Sequence, residues 1–262
     1  MKVITVATKE NGYFHTLIES ANKFNYDLII LGYNQIWKGF GWRLKLIINF
    51  LETLDGNEII IVVDAYDVIL LQDAKEALNR YKKLNVSFLC GAFRISNGLI
   101  GFIQENEFGK SKKILSAPYD SLCAGTWMTT VKTALEIYKK YEIEDNDDDQ
   151  ILLNKIFDIE GINTITPDTN FEIFCTVFPN IITRNIQDID KIVITQNKTL
   201  KSNITNTEPI LIHGLGNTNL NNILKELDFK NTNSLTDYKY NFKKVWYHLK
   251  LFFKIFINKL FL

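Results

Sequence analysis

Two carboxylates and one imidazole in this chain stand at strand ends, where chemistry is usually done. Asp64 and Asp67 follow the aliphatic run Ile59-Ile60-Ile61-Val62-Val63, and His213 follows a second run, Pro209-Ile210-Leu211-Ile212. Carboxylates three residues apart repel each other and lose hydration unless a cation lies between them. A hard divalent ion liganded by oxygen answers both costs. The imidazole, followed by Gly214 and Gly216, adds a ligand that transition metals favour, with glycines that let backbone and ligand approach closely. Plainer readings exist for each feature. Asp is a common turn residue, a single Asp-x-x-Asp is weak, and a lone His is more often structural than ligating.

The elements that must hold these residues follow from hydrophobic period. Five β-branched residues bounded by Asp55-Gly56-Asn57, with no polar alternation, predict a central strand over 59–63 buried on both faces. Ligands of open α/β sheets bind just beyond the carboxyl ends of such strands. Upstream, a strand over 3–7, a helix over about 10–23 with Phe14, Leu17, Ile18 and Ala21 facing the sheet, a strand over 26–32 and a helix over 42–54 complete a doubly wound beginning. Downstream, a helix near 74–83 and a short strand over 86–90 lead into an irregular stretch from 91 to 124, and loops of that length are usually functional. A helix over 129–141, short β pieces within 162–179 and 191–194, and the strand into His213 follow.

The run Asp145-Asn146-Asp147-Asp148-Asp149-Gln150 directly precedes a helical segment starting at Ile151. Amide donors at a helix start favour negative charge, so capping accounts for one or two of these carboxylates. The surplus, Asp147, Asp148 and Asp149 together, is expected to face a sugar or an acceptor, because unpaired carboxylates crowded at one terminus repel.

Composition narrows the function. A chain of 262 residues, 46% apolar, can bury one large core, and a single main domain over 1–240 is expected. Thirty basic residues balance thirty acidic ones, which argues against a general nucleic-acid binder. Cys90, Cys123 and Cys175 are odd in number and widely spaced in apolar contexts, so they read as buried free thiols in a reducing compartment. The first residues carry a strand pattern and not a signal peptide, so a cytoplasmic location is expected.

Residues 241–262 differ from the rest. Lys243, Tyr247, Lys250, Lys254 and Asn258 line one stripe of a helix, with Trp246, Leu249, Phe253, Phe256 and Leu260 opposite. Recurrent lysines argue against a spanning segment. This amphipathic helix is expected to pack in a homodimer or against the body, or to make a membrane-surface contact.

Taken together, Val3-Ile4-Thr5-Val6-Ala7-Thr8-Lys9-Glu10, Val63-Asp64-Ala65-Tyr66-Asp67-Val68, Asp147-Asp148-Asp149-Gln150 with Lys155-Ile156-Phe157, and Leu211-Ile212-His213-Gly214 resemble the glycosyltransferase domain of the multifunctional procollagen lysyl hydroxylases. The resemblance covers about the first 220 residues. It implies a GT-A glycosyltransferase fold, a Rossmann-like mixed α/β sheet flanked by helices. It also implies manganese held by Asp64, Asp67 and His213, a UDP-sugar donor, and a hydroxylysine-bearing collagen-like acceptor for glucose or galactose. Tyr66 is similar to the uracil-stacking residue of that family, although a core aromatic at a strand end is the plainer reading. Gly39-Phe40-Gly41-Trp42-Arg43 matches a glycine-rich stretch whose last residue contacts the nucleotide, which implicates Arg43. Thr8, Asp64, Gly214 and Gly216 are carried over to the donor site in the same way. The small Ser-Gly-Gly turn of the family appears here as Cys123-Ala124-Gly125-Thr126, so backbone contacts to the sugar are expected to differ. A stand-alone transferase is expected, since no hydroxylase motif is visible.

Two other readings compete. A haloacid-dehalogenase phosphatase needs Asp-x-Asp spacing so that both carboxylates face the phosphate, and the spacing here is Asp-x-x-Asp. A nucleotide-sugar-binding module with a decayed site would keep UDP affinity without turnover.

Overall fold

The computed structural model describes residues 1–93, 121–179, 185–186, 192–216 and 218–230. The helix expected over 241–262, and with it the domain boundary at 240, lies outside the described residues. Among the described residues no helix is long and apolar enough to cross a membrane.

The elements run β1 (Lys2–Val6), α1 (Phe14–Lys23), β2 (Asp27–Leu31), α2 (Phe40–Leu51), β3 (Ile59–Val63), β4 (Val68–Leu70), α3 (Ala74–Leu84) and β5 (Phe88–Phe93). After 94–120 come β6 (Ser121–Thr130), α4 (Val131–Tyr138), α5 (Asp149–Glu160), β7 (Ile165–Asp168), β8 (Phe174–Val177), β9 (Ile192–Ile194), β10 (Leu200–Ser202), β11 (Leu211–Gly214) and α6 (Asn221–Glu226). The main sheet has the order β2-β1-β3-β6-β5-β7. β1, β2 and β3 are parallel, β6 runs antiparallel to both β3 and β5, and β7 lies parallel to β5 at the edge. An edge is where Pro167, which has no amide hydrogen to donate, is tolerated. A second sheet, β4-β11-β8, stands beside the first, and β9 and β10 form a small antiparallel pair.

β3 is central, as its unbroken aliphatic run predicts. Its alternate side chains divide between two apolar layers: Ile60 and Val62 pack with Leu44, Ile47 and Leu51 of α2, Ile137 of α4 and Ile156 of α5. Ile61 and Val63 face the other way, onto Leu17 and Ala21 of α1 and Ala77 and Tyr81 of α3. A polar residue anywhere in β3 would therefore be buried on one face or the other.

Local chemistry sets the helix limits. Asp73 accepts the amide of Lys75 at the start of α3, and the left-handed Asn85, φ 50°, ends it. Thr130 caps α4 by accepting the amide of Thr133, so Thr129 and Thr130 belong to β6 and not to the helix expected from 129. Of the stretch expected to be irregular from 91 to 124, both ends are strand, and 94–120 lie outside the described residues. Gly91–Phe93 extends β5 and Ser121–Ala124 begins β6, because these residues pair across the sheet with one another. The two strands shift register after Cys90, where Ala124, Gly125 and Thr126 bulge.

Asp168 ends β7 and starts β8. Buried at 3% exposure, its carboxylate accepts three backbone amides, from Glu172 (3.0 Å), Ile173 (2.7 Å) and Phe174 (2.8 Å). Burial raises its carboxyl above the usual range while those amides pull it back. Replacing Asp168 with Ala leaves buried donors unpaired, and a loss of roughly 3–5 kcal/mol is expected in urea unfolding. A loss under about 1 kcal/mol would show that water replaces the carboxylate there.

Candidate metal and donor site

β3 hands Asp64 and Asp67 to the short link before β4, and β4 pairs with β11 so that Val68 stands opposite His213. That register brings the imidazole beside the link. The Gly214 amide donates to the Asp67 carbonyl at 2.8 Å, and the Asp64 amide donates to the Gly125 carbonyl at 2.8 Å. The backbones of β11 and β6 thus fix both ends of the acidic link.

The side chains converge. His213 Nε2 lies 3.4 Å from Asp64 Oδ2 and 3.3 Å from Asp67 Oδ1. One ligand atom from each of the three residues falls within 4.8 Å of the others. His213 Nε2 and Asp67 Oδ1 are buried without a hydrogen-bond partner, an arrangement that proteins rarely leave uncompensated. Two carboxylate oxygens and one imidazole nitrogen that converge, two of these three atoms without a hydrogen-bond partner, fit a divalent ion such as Mn2+.

A glycine makes the space. A Cβ on Gly125 would stand 2.3 Å from Asp64 Oδ2 and 2.6 Å from His213 Cε1. The motifs placed Gly125 in the turn Cys123-Ala124-Gly125-Thr126 expected near the sugar, and not against Asp64 and His213.

The side chains of the cluster shift one another's protonation. Burial alone would push His213 down, but the Cys123 sulfur and the Asp67 and Asp64 side chains outweigh it and raise the imidazole well above its ordinary value. Burial raises Asp67. Asp64 feels the same burial, yet the Arg43 guanidinium holds it down at about 2.

Arg43 is expected at the nucleotide, and its position in the structure is specific. Its guanidinium, 5% exposed, lies between Asp64 Oδ1 at 2.7 Å and Asp149 Oδ2 at 2.5 Å. Any contact it makes with a ligand therefore competes with two buried ion pairs. The glycines before it dock the acidic turn. Gly41 and Trp42 donate their amides to the carbonyls of Asp147 and Asp145, and a Cβ on Gly41 would meet the Glu144 carbonyl oxygen at 1.8 Å. The start of α2 is capped by this turn and not by a side chain.

The three carboxylates expected to be surplus each have a partner. Asp147 accepts the Glu144 amide at 2.8 Å, Asp148 caps α5 by accepting the Ile151 amide at 2.9 Å, and Asp149 holds Arg43. The premise of unpaired charge does not hold, because turn, cap and ion pair absorb one carboxylate each. Burial pushes Asp149 up to about 6, with Arg43 opposing. Gln150 and Asn154, one turn apart, bond β6 on the same side of α5. Gln150 accepts the Ala124 amide at 3.0 Å and donates to the Leu122 carbonyl at 2.7 Å, and Asn154 contacts Ser121.

Tyr66 and Thr8 meet at the ends of β3 and β1. The Tyr66 hydroxyl accepts the Thr8 amide at 3.2 Å and donates to the Lys9 carbonyl at 3.0 Å. Beside it, Phe14 stacks on Tyr33 at 6.0 Å. Gly216 is left-handed, φ 58°, with open space around it.

Two outcomes are expected. Gly125→Ala should fold but lose most Mn2+ affinity, measured by titrating the metal-free protein; unchanged affinity would remove the steric argument. The second concerns Asp149, whose folded value of about 6 exceeds the ordinary 3.8. The folded protein holds this proton more tightly, so the stabilisation is complete below 3.8 and lost as pH rises through 6, about 3 kcal/mol in all. Urea unfolding of Asp149→Asn should lack that decline, and a parallel pH profile in both proteins would refute it.

Residues 1–238 match the family model described as PLOD GT domain. The chain is 24% identical over 228 residues to procollagen-lysine,2-oxoglutarate 5-dioxygenase 2 of Mus musculus, covering 83% of this chain and 30% of that protein. It is 26% identical over 232 residues to the multifunctional procollagen lysine hydroxylase and glycosyltransferase LH3 of Homo sapiens, with the same coverage. The chain thus spans 30% of the length of these curated relatives. Among solved structures it is similar to a glycosyltransferase involved in glycosylation of the major capsid of PBCV-1, at 11% identity and a TM-score of 0.48 over 87% of this chain and 96% of that one. It is also similar to the galactosyltransferase LgtC, at 11% identity and 0.42 over 82% and 87%. With a family match over nearly all of its length, the chain belongs to the PLOD GT domain family, a glycosyltransferase domain, and its mixed sheet is flanked by helices.

Proposed function

We propose that this domain transfers a hexose, glucose or galactose, from a UDP-sugar to a hydroxylysine-bearing collagen-like chain, with Mn2+ as its ion. The observation that carries the reading is the cluster Asp64, Asp67 and His213, whose ligand atoms converge beyond the carboxyl end of the central strand, with Asp67 Oδ1 and His213 Nε2 buried and without a hydrogen-bond partner. The names of the curated relatives support the collagen acceptor.

Asp64, Asp67 and His213 would hold the ion, which supplies positive charge to a departing diphosphate. Three protein ligands leave positions for other oxygens. Tyr66, with its hydroxyl tied to the Thr8 amide and the Lys9 carbonyl, presents a ring fixed in orientation, suited to stacking a uracil. Gly214 and Gly216 offer backbone close to the same end of the sheet. Arg43 keeps one oxygen of Asp64 occupied and leaves the other facing His213, and it contacts the donor from that position. Asp147 and Asp148 orient the sugar or the acceptor, and Asp149 is held against Arg43 for the same purpose. The fixed dipoles and charges of this site need no rearrangement as charge develops, which is where most of the rate gain is expected.

UDP release from UDP-glucose and UDP-galactose, with and without hydroxylysine peptides, tests the reading. Turnover should require Mn2+, respond to the peptide, and fall at least about a thousandfold in Asp64→Ala and His213→Ala, matching the several kcal/mol that a catalytic ion supplies. Full activity in excess chelator would end the metal assignment. UDP binding without any release from a donor would favour a binding module.

A further inference from the structure

Cys123 is the neighbour of His213 that the metal reading leaves unexplained. Its sulfur lies 3.3 Å from His213 Nδ1, on the side of the ring away from the carboxylates. We propose that Cys123 is a positioning residue for His213, its sulfur holding Nδ1 so that the Nε2 lone pair faces Asp64 and Asp67. The inference rests on the reading of those three residues as a metal site.

The argument begins with the proton on the ring. A neutral imidazole carries one hydrogen, so a nitrogen that binds metal through its lone pair leaves the hydrogen on the other nitrogen. Nε2 is the atom turned toward Asp64 and Asp67, and Nδ1 must then carry the hydrogen. His213 is fully buried, and a buried N–H without an acceptor is costly. Among the described residues, the contact recorded for Nδ1 is the Cys123 sulfur.

The sulfur is fixed in place. Cys123 is 1% exposed and packed against Phe93 and Leu215, which keep water away. Its backbone pairs with Gly91 at the point where β5 and β6 shift register. Its carbonyl accepts from Cys90 Sγ at 3.2 Å, and the next amide, Ala124, is held by Gln150 at 3.0 Å. A weak acceptor that cannot move away, in a dry site, satisfies the Nδ1 hydrogen once an ion takes the Nε2 lone pair. A thiol can also donate, so the same atom serves the alternative tautomer, in which Nε2 carries the hydrogen and Nδ1 accepts. Groups behind a metal-bound histidine commonly matter for affinity, typically by 10–100-fold.

The test is Mn2+ titration of the metal-free protein, followed by the electron paramagnetic resonance of free Mn2+. Cys123→Ser keeps a donor and acceptor at Nδ1 and should bind with nearly wild-type affinity. Cys123→Ala and Cys123→Val should bind roughly 10–100-fold more weakly. Thermal unfolding in chelator confirms that each variant is folded, and Cys123→Val retains side-chain volume should the Ala variant fail. In wild-type protein loaded with Zn2+ as a diamagnetic probe, the 15N signals of His213 should show hydrogen on Nδ1. Wild-type affinity in a folded Ala or Val variant overturns the proposal, as does equal loss in Ser and Ala, which would mean packing alone. A wild-type protein that binds no Mn2+ overturns the metal reading and this inference with it, whereas strong wild-type binding unaffected by Cys123→Ala defeats this inference only.

Discussion

Asp64 and Asp67 leave one strand within a single turn of each other, and the repulsion between two partly buried carboxylates is the constraint to which the surrounding structure answers. A single cation meets part of it: the Arg43 guanidinium takes one oxygen of Asp64. Asp67 has no such partner among the described residues, and its Oδ1 faces His213 without a hydrogen bond. Two negative charges with one covered on one side leave a place for a positive ion between Asp64, Asp67 and the imidazole.

The framework that holds this arrangement is built from three separate strand ends. β3 supplies the carboxylates, β11 the imidazole, and the β6 bulge the glycine whose missing side chain leaves room for both. Backbone hydrogen bonds lock these ends together without using the ligand atoms, since Asp64 and Asp67 engage Gly125 and Gly214 through main-chain groups. The side chains are left for chemistry. α5 then fastens β6 from behind with Gln150 and Asn154.

The start of α2 connects this centre to the acidic turn. Its first amides are capped by the carbonyls of Asp145 and Asp147, Lys45 pairs with Asp145, and Arg43 reaches from Asp149 to Asp64. A displacement of the acidic turn is therefore transmitted to an oxygen of Asp64 through a rigid, planar guanidinium. This ties the orientation of groups at the turn to the geometry of the cluster of Asp64, Asp67 and His213.

What the sequence determined by itself is what period and local chemistry specify. The aliphatic run 59–63 had to be a central strand, the first half had to alternate strands and helices, and Asp64, Asp67 and His213 had to sit at strand ends. That a carboxylate of the run 145–149 caps the helix that follows was likewise legible, because capping involves residues close in the chain, but that Asp148 is the one was not. The tertiary structure alone decided the rest, since each remaining feature joins residues far apart in sequence. The register of β11 on β4 sets His213 beside Asp67, and a shift of one residue would turn the imidazole to the opposite face. The antiparallel β6, hidden in a stretch rich in glycine, carries Gly125 onto Asp64. Asp147 pairs locally with the Glu144 amide, whereas the partner of Asp149 lies on a distant helix, so its charge is accounted for only once the chain has folded.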